Sequence, residues 1–243
     1  MPNKQKKFGQ LFLIPSSLDQ EVQNEFLITE QKKQLRNLSY FVVEKEKAAR
    51  KMLKKMNLAT KIQELILFTN TQQTNDSEIN EMLLPIFNGT SMGLLSDSGT
   101  PCIADPGNKI VAYAHKKGIS VKPLVGPSSI ILSLMSSGFN GQNFIFRGYL
   151  PKNSEERFDL LKEMERDIIN SGATQIFIET PYRNNELLKD LLKNLDQEIN
   201  LCLSIDLMTS NEKIISQSIR EWIAFDDLDI NKSCLLYTSP SPR

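Results

Sequence analysis

The run Met92-Gly93-Leu94-Leu95 has the composition of a buried strand, and it leads without a break into Ser96-Asp-Ser-Gly-Thr-Pro-Cys-Ile-Ala-Asp-Pro-Gly107. Two Asp, two Gly and two Pro among these twelve residues exclude a regular strand or helix. The segment must instead be a long ordered turn whose backbone can come close to a bound molecule. A helical pattern resumes at Ile110, Val111 and Ala114, so the chain reads locally as strand, turn and helix. Strand ends of this kind build ligand sites.

The same alternation runs through the whole sequence. Short runs rich in Val, Ile, Leu and Phe are expected as strands at Leu11 to Ile14, Tyr40 to Val43, Leu65 to Phe68, Met92 to Leu95 and Ile119 to Val121. Between them, Ala49, Met52, Leu53 and Met56 repeat with helical period. This is the pattern of an α/β fold. The helix after the long turn has readable ends: Asp105 is expected to cap it, Pro106 to occupy its first position and Gly118 to stop it. A helix from Pro127 to Gly138 is apolar almost all round over Ile130 to Met135 and is therefore expected to be buried at a junction. A second block follows, with strands at Phe144 to Phe146, Gln175 to Ile178, Leu201 to Ile205, Lys213 to Ser216 and Ser233 to Tyr237. Its helices carry Phe158, Leu161, Met164 and Ile168, then Leu187, Leu188, Leu191, Leu192 and Leu195. Two α/β domains are expected, residues 1–124 and 125–243, with 238–243 a frayed or foreign tail because it lacks periodicity and holds two prolines.

Charge and cysteine usage narrow the class of function. Twenty-nine basic and 29 acidic residues cancel, which argues against coating nucleic acid through bulk charge. Cys102, Cys202 and Cys234 are far apart and show no paired spacing, so neither a disulfide framework nor a metal cluster is indicated. The apolar run after the basic start is four residues long, too short for a signal core or a membrane span. A cytoplasmic protein without a metal is expected. No phosphate loop or dinucleotide fingerprint is present.

The loops themselves suit a zwitterionic ligand. Ser96, Asp97, Ser98, Gly99 and Thr100 offer hydroxyls, a carboxylate and exposed amides, while the helix starts after Asp105 and Gly126 aim positive dipole ends at an anion. Together with Val125-Gly126-Pro127-Ser128-Ser129, the long turn resembles the tetrapyrrole methylase superfamily, the class III S-adenosylmethionine (SAM) methyltransferases. Within it the loops look like the branch that methylates the ribose 2′-hydroxyl of a cytidine in small-subunit ribosomal RNA. Phe146-Arg-Gly-Tyr-Leu-Pro151 and Ile178-Glu-Thr-Pro-Tyr-Arg183 are similar to two further motifs of that branch, and Asp206-Leu207 with Thr209 and Glu212 to a third. The resemblance implies two αβα-type units, the first with a mainly parallel sheet and the second with a mixed one. It also implies SAM as cofactor, a homodimer, and the small ribosomal subunit or its RNA as substrate. SAM contacts would fall at Ser96, Asp97, Ser98, Ser128 and Ser129, with Glu179 and Leu207 near the adenosyl part.

The beginning of the chain departs from the pattern. The superfamily's first strand runs into a glycine-containing turn, whereas Leu13-Ile-Pro-Ser-Ser-Leu18 has no glycine. Glu44 and Glu179 are the candidates for the group that takes a proton from the acceptor, and Lys152, Arg157 and Arg183 the candidates for RNA contact because they sit in motif loops. The basic run Lys45 to Lys55 fits either a phosphate-tracking surface or a plain solvated helix face. His115, the only histidine, reads as a surface residue. Two rival readings stay open: a methyltransferase acting on a small tetrapyrrole-like acceptor, and a non-catalytic SAM- or RNA-binding module.

Overall fold

The computed structural model describes residues 7–19, 26–225, 230 and, as backbone, 235–239. The chain divides into two units, Met1–Ser128 and Ser129–Arg243. The division falls later than residue 124, and the reason is visible: Leu124 N–H donates to Leu13 O at 3.1 Å, and Pro127 O accepts from Thr100 Oγ1 at 2.8 Å. The segment 124–128 is thus tied to the first unit.

In the first unit the elements are β1 (Gln10–Ile14), α1 (Thr29–Leu35), β2 (Tyr40–Val43), α2 (Glu46–Lys54), β3 (Ile66–Thr69), α3 (Asp76–Met82), α4 (Leu84–Phe87), β4 (Met92–Leu95), α5 (Asn108–Lys116) and β5 (Ser120–Pro123). Its five strands form one sheet in the order β3-β2-β4-β1-β5, all parallel. Successive strand residues point to opposite faces. Phe12, Ile14, Phe41, Val43 and Leu95 pack with Leu35 of α1 and Ala49 and Leu53 of α2. Leu11, Val42, Met92 and Leu94 pack with Ile79 of α3, Ile86 of α4 and Ile110 and Ala114 of α5. With both faces covered, the strands can be apolar on both sides, which is why they read as continuous hydrophobic runs.

The second unit holds α6 (Ser129–Ser137), β6 (Phe144–Tyr149), α7 (Ser154–Ser171), β7 (Thr174–Glu179), α8 (Asn184–Asn194), β8 (Asn200–Ile205), β9 (Lys213–Ser218), α9 (Ile219–Ile223) and β10 (Leu235–Ser239). The sheet order is β6-β7-β10-β8-β9, with β6 and β7 parallel and the remaining pairs antiparallel, so the sheet is mixed. Leu161 and Met164 of α7, Leu187 and Leu191 of α8 and Trp222 of α9 pack on Phe177, Leu201 and Leu203. On the other face Ser133 of α6 shares a 2.7 Å hydrogen bond with Ser204. Asn153 caps α7 by accepting from the Glu155 and Glu156 amides at 2.8 and 3.1 Å.

Two expectations are corrected here. The apolar helix α6 is not buried all round: Ile131 is 45% and Met135 73% exposed, because only Ile130, Ser133, Leu134 and Ser137 face the sheet. The tail does not begin at 238 either. Thr238 pairs with Ile176 on one side and Cys202 on the other, and Ser239 pairs with Gln175, so β10 is an interior strand. Residues 240–243 lie outside the described ones. Interior strands use their amides in the ladder, so Thr238→Pro should lower the melting temperature by at least about 5 °C, the size of a loss of roughly 1 kcal/mol in a small domain. Differential scanning calorimetry of the two proteins checks this, and an unchanged transition would leave β10 without a structural role.

Candidate active site

The site is built at the C-terminal ends of β1, β2 and β4. After β1 the chain crosses to β2 over the face that carries α1 and α2, while after β4 it crosses to β5 over the face that carries α5. Neighbouring strands whose exits diverge in this way leave a crevice at their carboxyl ends. Here the two exits are clamped to each other: Ser16 N–H donates to Gly99 O at 2.8 Å and Gly99 N–H to Ser16 O at 3.1 Å. Ser16 Oγ donates to Ser96 O and lies 3.0 Å from Met52 Sδ of α2. Gly99 has φ +71°, and a Cβ there would stand 3.2 Å from Leu18 Cδ2. Side chains rarely adopt that conformation, so the clamp requires glycine.

The glycine-free first exit also has a structural answer. A Cβ on Gly126 would fall 2.1 Å from Pro15 Cγ, so the missing side chain at Gly126 makes room for the proline ring. Gly126 therefore receives the first loop as well as starting the turn toward α6. Farther along the long turn, Cys102 and Ala104 adopt φ of +69° and +61°. Such backbone persists only where its surroundings hold it, and it concentrates at functional loops. Asp105 does part of that holding: its Oδ1 accepts from the Cys102 and Gly107 amides at 2.9 and 2.8 Å. This corrects its expected role, because α5 starts at Asn108 and Asp105 staples the turn in front of it. Asp105 Oδ2 is buried without a hydrogen-bond partner among the described residues.

Glu44 stands one residue beyond β2 and accepts from the Asp97 amide at 3.0 Å, while Lys45 pairs with the Asp97 carboxylate at 2.9 Å. Burial pushes the Glu44 carboxyl above its ordinary value; the Asp97 amide opposes the rise, and the nearby Asp97 and Asp105 carboxylates add to it. The Cys102 thiol is pushed up to about 12 by burial and by Asp105, so it stays protonated and is no nucleophile. Ser96 is buried and spends its hydroxyl on Ser98 O at 2.9 Å, so it shapes the turn, whereas Ser98 is exposed. Glu44, Ser96, Asp97, Ser98, Gly99, Asp105, Gly126 and Ser128 thus all belong to the first unit. Sequence reasoning missed Ser16 and Ser17 as parts of it; the Pro-Ser-Ser turn directly after a buried strand was the available signal.

Ser129, Glu179 and Leu207 belong to the second unit. Ser129 opens α6. Leu207 is buried between Asp206 and Met208, whose φ values of +47° and +66° mark a second strained turn. Glu179 is fully covered: its Oε2 faces Arg183 Nη2 at 3.0 Å, and its Oε1 accepts from the Thr180 amide at 2.6 Å. The guanidiniums expected to touch RNA are occupied. Arg183 pairs with Glu179 and donates to Pro151 O at 3.2 Å. Arg157 is 2% exposed, donates to Asp190 and to Glu186 at 2.8 Å, and reaches Pro151 O and Lys152 O at 2.9 and 3.0 Å. Burial works to lower its pKa, but the hydrogen bonds to Asp190 and Glu186 hold it above the ordinary value. Of the three, only Lys152 remains exposed. Among the described residues no group of three or more His, Cys, Asp or Glu could hold a metal ion, and no helix is long and apolar enough to cross a membrane.

No family model matches the sequence. The chain is 35% identical over 196 residues to the ribosomal RNA small subunit methyltransferase I of Vibrio cholerae serotype O1, covering 79% of this chain and 65% of that protein. It is 28% identical over 189 residues to the protein of the same name from Halalkalibacterium halodurans, covering 77% and 61%. The chain therefore spans a little under two thirds of the length of the curated relatives it matches. Among solved structures, the uroporphyrin-III C-methyltransferase of Thermus thermophilus complexed with S-adenosylhomocysteine superposes with a TM-score of 0.57 at 13% identity, covering 96% of this chain and 97% of that one. The chain is thus similar in sequence to small subunit ribosomal RNA methyltransferases and in fold to a C-methyltransferase that binds S-adenosylhomocysteine. The two-unit α/β architecture with a parallel first sheet and a mixed second one is the tetrapyrrole methylase fold, as the loop motifs imply.

The occupied guanidiniums give a direct contrast. Arg157→Ala leaves Asp190 beside a buried gap and should destabilise the tetrapyrrole methylase fold by about 3–5 kcal/mol, while Lys152→Ala should change stability by less than about 0.5 kcal/mol. Urea denaturation of both variants measures the difference. Equal midpoints would show that the Arg157 cluster does not hold α7 to α8.

Proposed function

We propose that the protein is a SAM-dependent methyltransferase that transfers a methyl group to the ribose 2′-hydroxyl of a cytidine in small-subunit ribosomal RNA, working as a cytoplasmic homodimer. The observation that carries this reading is the clamped strand-end crevice, built from the segment that matches the rRNA-methylating relatives, with a desolvated carboxylate at its edge. The exposed apolar pair Ile131 and Met135 on α6 supports a second copy of the chain as partner.

The residues present fit SAM. The exposed Ser98 hydroxyl, the Asp105 Oδ2 without a partner among the described residues and the turn Gly126 to Ser128 offer donors and acceptors for a zwitterion bearing ribose hydroxyls. When bound, SAM supplies a methyl activated by the sulfonium. The protein then has to align the acceptor and receive one proton. Glu44 is the group for the second task. It is ionisable, desolvated and held by the Asp97 amide in one orientation, and its raised pKa brings it nearer the working pH, where a general base is most effective. Lys45 neutralises Asp97, which keeps a second full negative charge away from that proton.

Glu44→Gln keeps an acceptor for the Asp97 amide but cannot take a proton. Methyl transfer to small ribosomal subunits should fall by about 10²–10⁴-fold, with affinity for S-adenosylhomocysteine unchanged in calorimetry. Stability should move the other way. Because the folded Glu44 pKa is raised, its protonated form stabilises the fold below about pH 4.5, and that contribution is lost as pH rises through the folded value. The Gln variant should thus melt at or above the wild-type temperature at pH 7 and lose that advantage in acid. Transfer at the wild-type rate by Glu44→Gln excludes Glu44 as the base; transfer to a porphyrin precursor in place of ribosomal subunits overturns the substrate.

A further inference from the structure

The cavity between the first loop and α2 measures about 60 Å³, several times what a single water needs, so it admits a small polar group. Ala48, Ala49 and Met52 of α2 give it an apolar side, and Ser16, Ser17, Ser96 and Asp97 a polar one. The charges of its wall are already engaged: Asp97 pairs with Lys45 at 2.9 Å, and Lys51, Lys55 and Asp19 each have interactions of their own. No charge is left over to hold a phosphate or a carboxylate. The cavity therefore suits a neutral group that bears a hydroxyl.

Two of the three serine hydroxyls in the wall are spent within the fold: Ser16 Oγ donates to Ser96 O, and Ser96 Oγ donates to Ser98 O at 2.9 Å. The third is open. Ser17 is 9% exposed, and its Oγ is buried without a hydrogen-bond partner among the described residues. Buried hydroxyls are nearly always bonded, so this one marks a place where a ligand completes the set. The clamp fixes its position, because Ser16 is bonded to Gly99 through both its N–H and its carbonyl. A turn without glycine cannot bring bare backbone to a ligand, but Ser17 brings it a hydroxyl. The cavity also adjoins Glu44: its wall residue Asp97 donates its amide to that carboxylate at 3.0 Å.

We propose that this cavity receives the edge of the acceptor ribose and that Ser17 Oγ donates a hydrogen bond to the 2′-oxygen. The proposal rests on the rRNA reading above. A hydroxyl oxygen carries one proton and two lone pairs. Glu44 faces the proton, one lone pair faces the incoming methyl, and Ser17 holds the other. As the oxygen forms its bond to the methyl carbon, the carbon–sulfur pair stays on sulfur and the proton passes to Glu44. Ser17 thus fixes the direction from which the oxygen attacks, and its hydrogen bond strengthens as negative charge gathers there.

The anisotropy of a fluorescein-labelled oligocytidylate and of its 2′-deoxy counterpart, measured without SAM, reads the preference for a ribose hydroxyl directly. Ser17→Ala should bind the ribo-oligomer about fivefold more weakly, the worth of one neutral hydrogen bond, and the deoxy-oligomer as the wild type does. A loss seen only when both hydroxyls are present is the signature of a contact between them. The melting temperature of Ser17→Ala should be unchanged or higher, because the hydroxyl removed has no partner among the described residues. Its affinity for S-adenosylhomocysteine should be retained, while methyl transfer to small ribosomal subunits falls at least about tenfold. Ser17→Thr keeps the hydroxyl and adds a methyl that the cavity has room for, so it should keep the preference for ribose. An equal loss on both oligomers in Ser17→Ala, or none, overturns the proposal. Transfer to subunits by the wild type in that case leaves the rRNA reading standing. No transfer by the wild type, with the Ser17-dependent preference intact, removes that reading and keeps the ribose contact.

Discussion

Two backbone hydrogen bonds, Ser16 N–H to Gly99 O and Gly99 N–H to Ser16 O, hold together loops that would otherwise diverge to opposite faces of a parallel sheet. The rest of the first unit's site depends on them. They fix the start of the long turn, so that the Asp97 amide reaches Glu44 and Thr100 Oγ1 reaches Pro127 O. They also need the φ of +71° and the bare Cα that Gly99 provides. The first loop contributes no glycine of its own. Pro15 is accommodated from the other side by Gly126, so the close approach survives with the glycine moved to the partner segment.

The electrostatics follow from that geometry. Closing the crevice desolvates Glu44 and raises its pKa, while Lys45 keeps Asp97 neutralised beside it. A carboxylate in this position can accept a proton from a hydroxyl without a metal or a covalent intermediate. The strain at Cys102 and Ala104 belongs to the same design, since Asp105 spends one oxygen on holding that turn and leaves the other without a partner among the described residues. In the second unit the charges do different work: Arg157 joins α7 to Asp190 and Glu186 of α8, and Arg183 covers Glu179.

Much of the fold was legible in the sequence because hydrophobic period survives in both units. The strands at 40–43 and 92–95 match their expected bounds, and most of the others differ by a residue or two at an end, where pairing and not composition sets the limit. What misled was information that only packing carries. Arg157 and Arg183 sit in motif loops, but nothing local tells whether a guanidinium turns outward or inward; their acidic and carbonyl partners lie up to 33 residues away. The end of the chain looked like a tail because Thr-Ser-Pro lacks strand composition, yet β10 is held on both edges by β7 and β8. Uniformly apolar α6 looked buried all round, but sequence alone does not reveal which side the sheet covers. The α2 lysines were ambiguous for a similar reason: their spacing fits a solvated face, and only packing shows that Lys51 and Lys55 line a cavity with Ser17.

If the methyl donor binds against the clamped turn of the first unit, amide hydrogen exchange with and without S-adenosylhomocysteine tests it most directly. Protection should rise at residues 96–100 and 126–128, whose backbone the ligand would cover, and stay unchanged along α7 and α8. No added protection at 96–100, with protection appearing elsewhere, would contradict the clamp as the heart of the site.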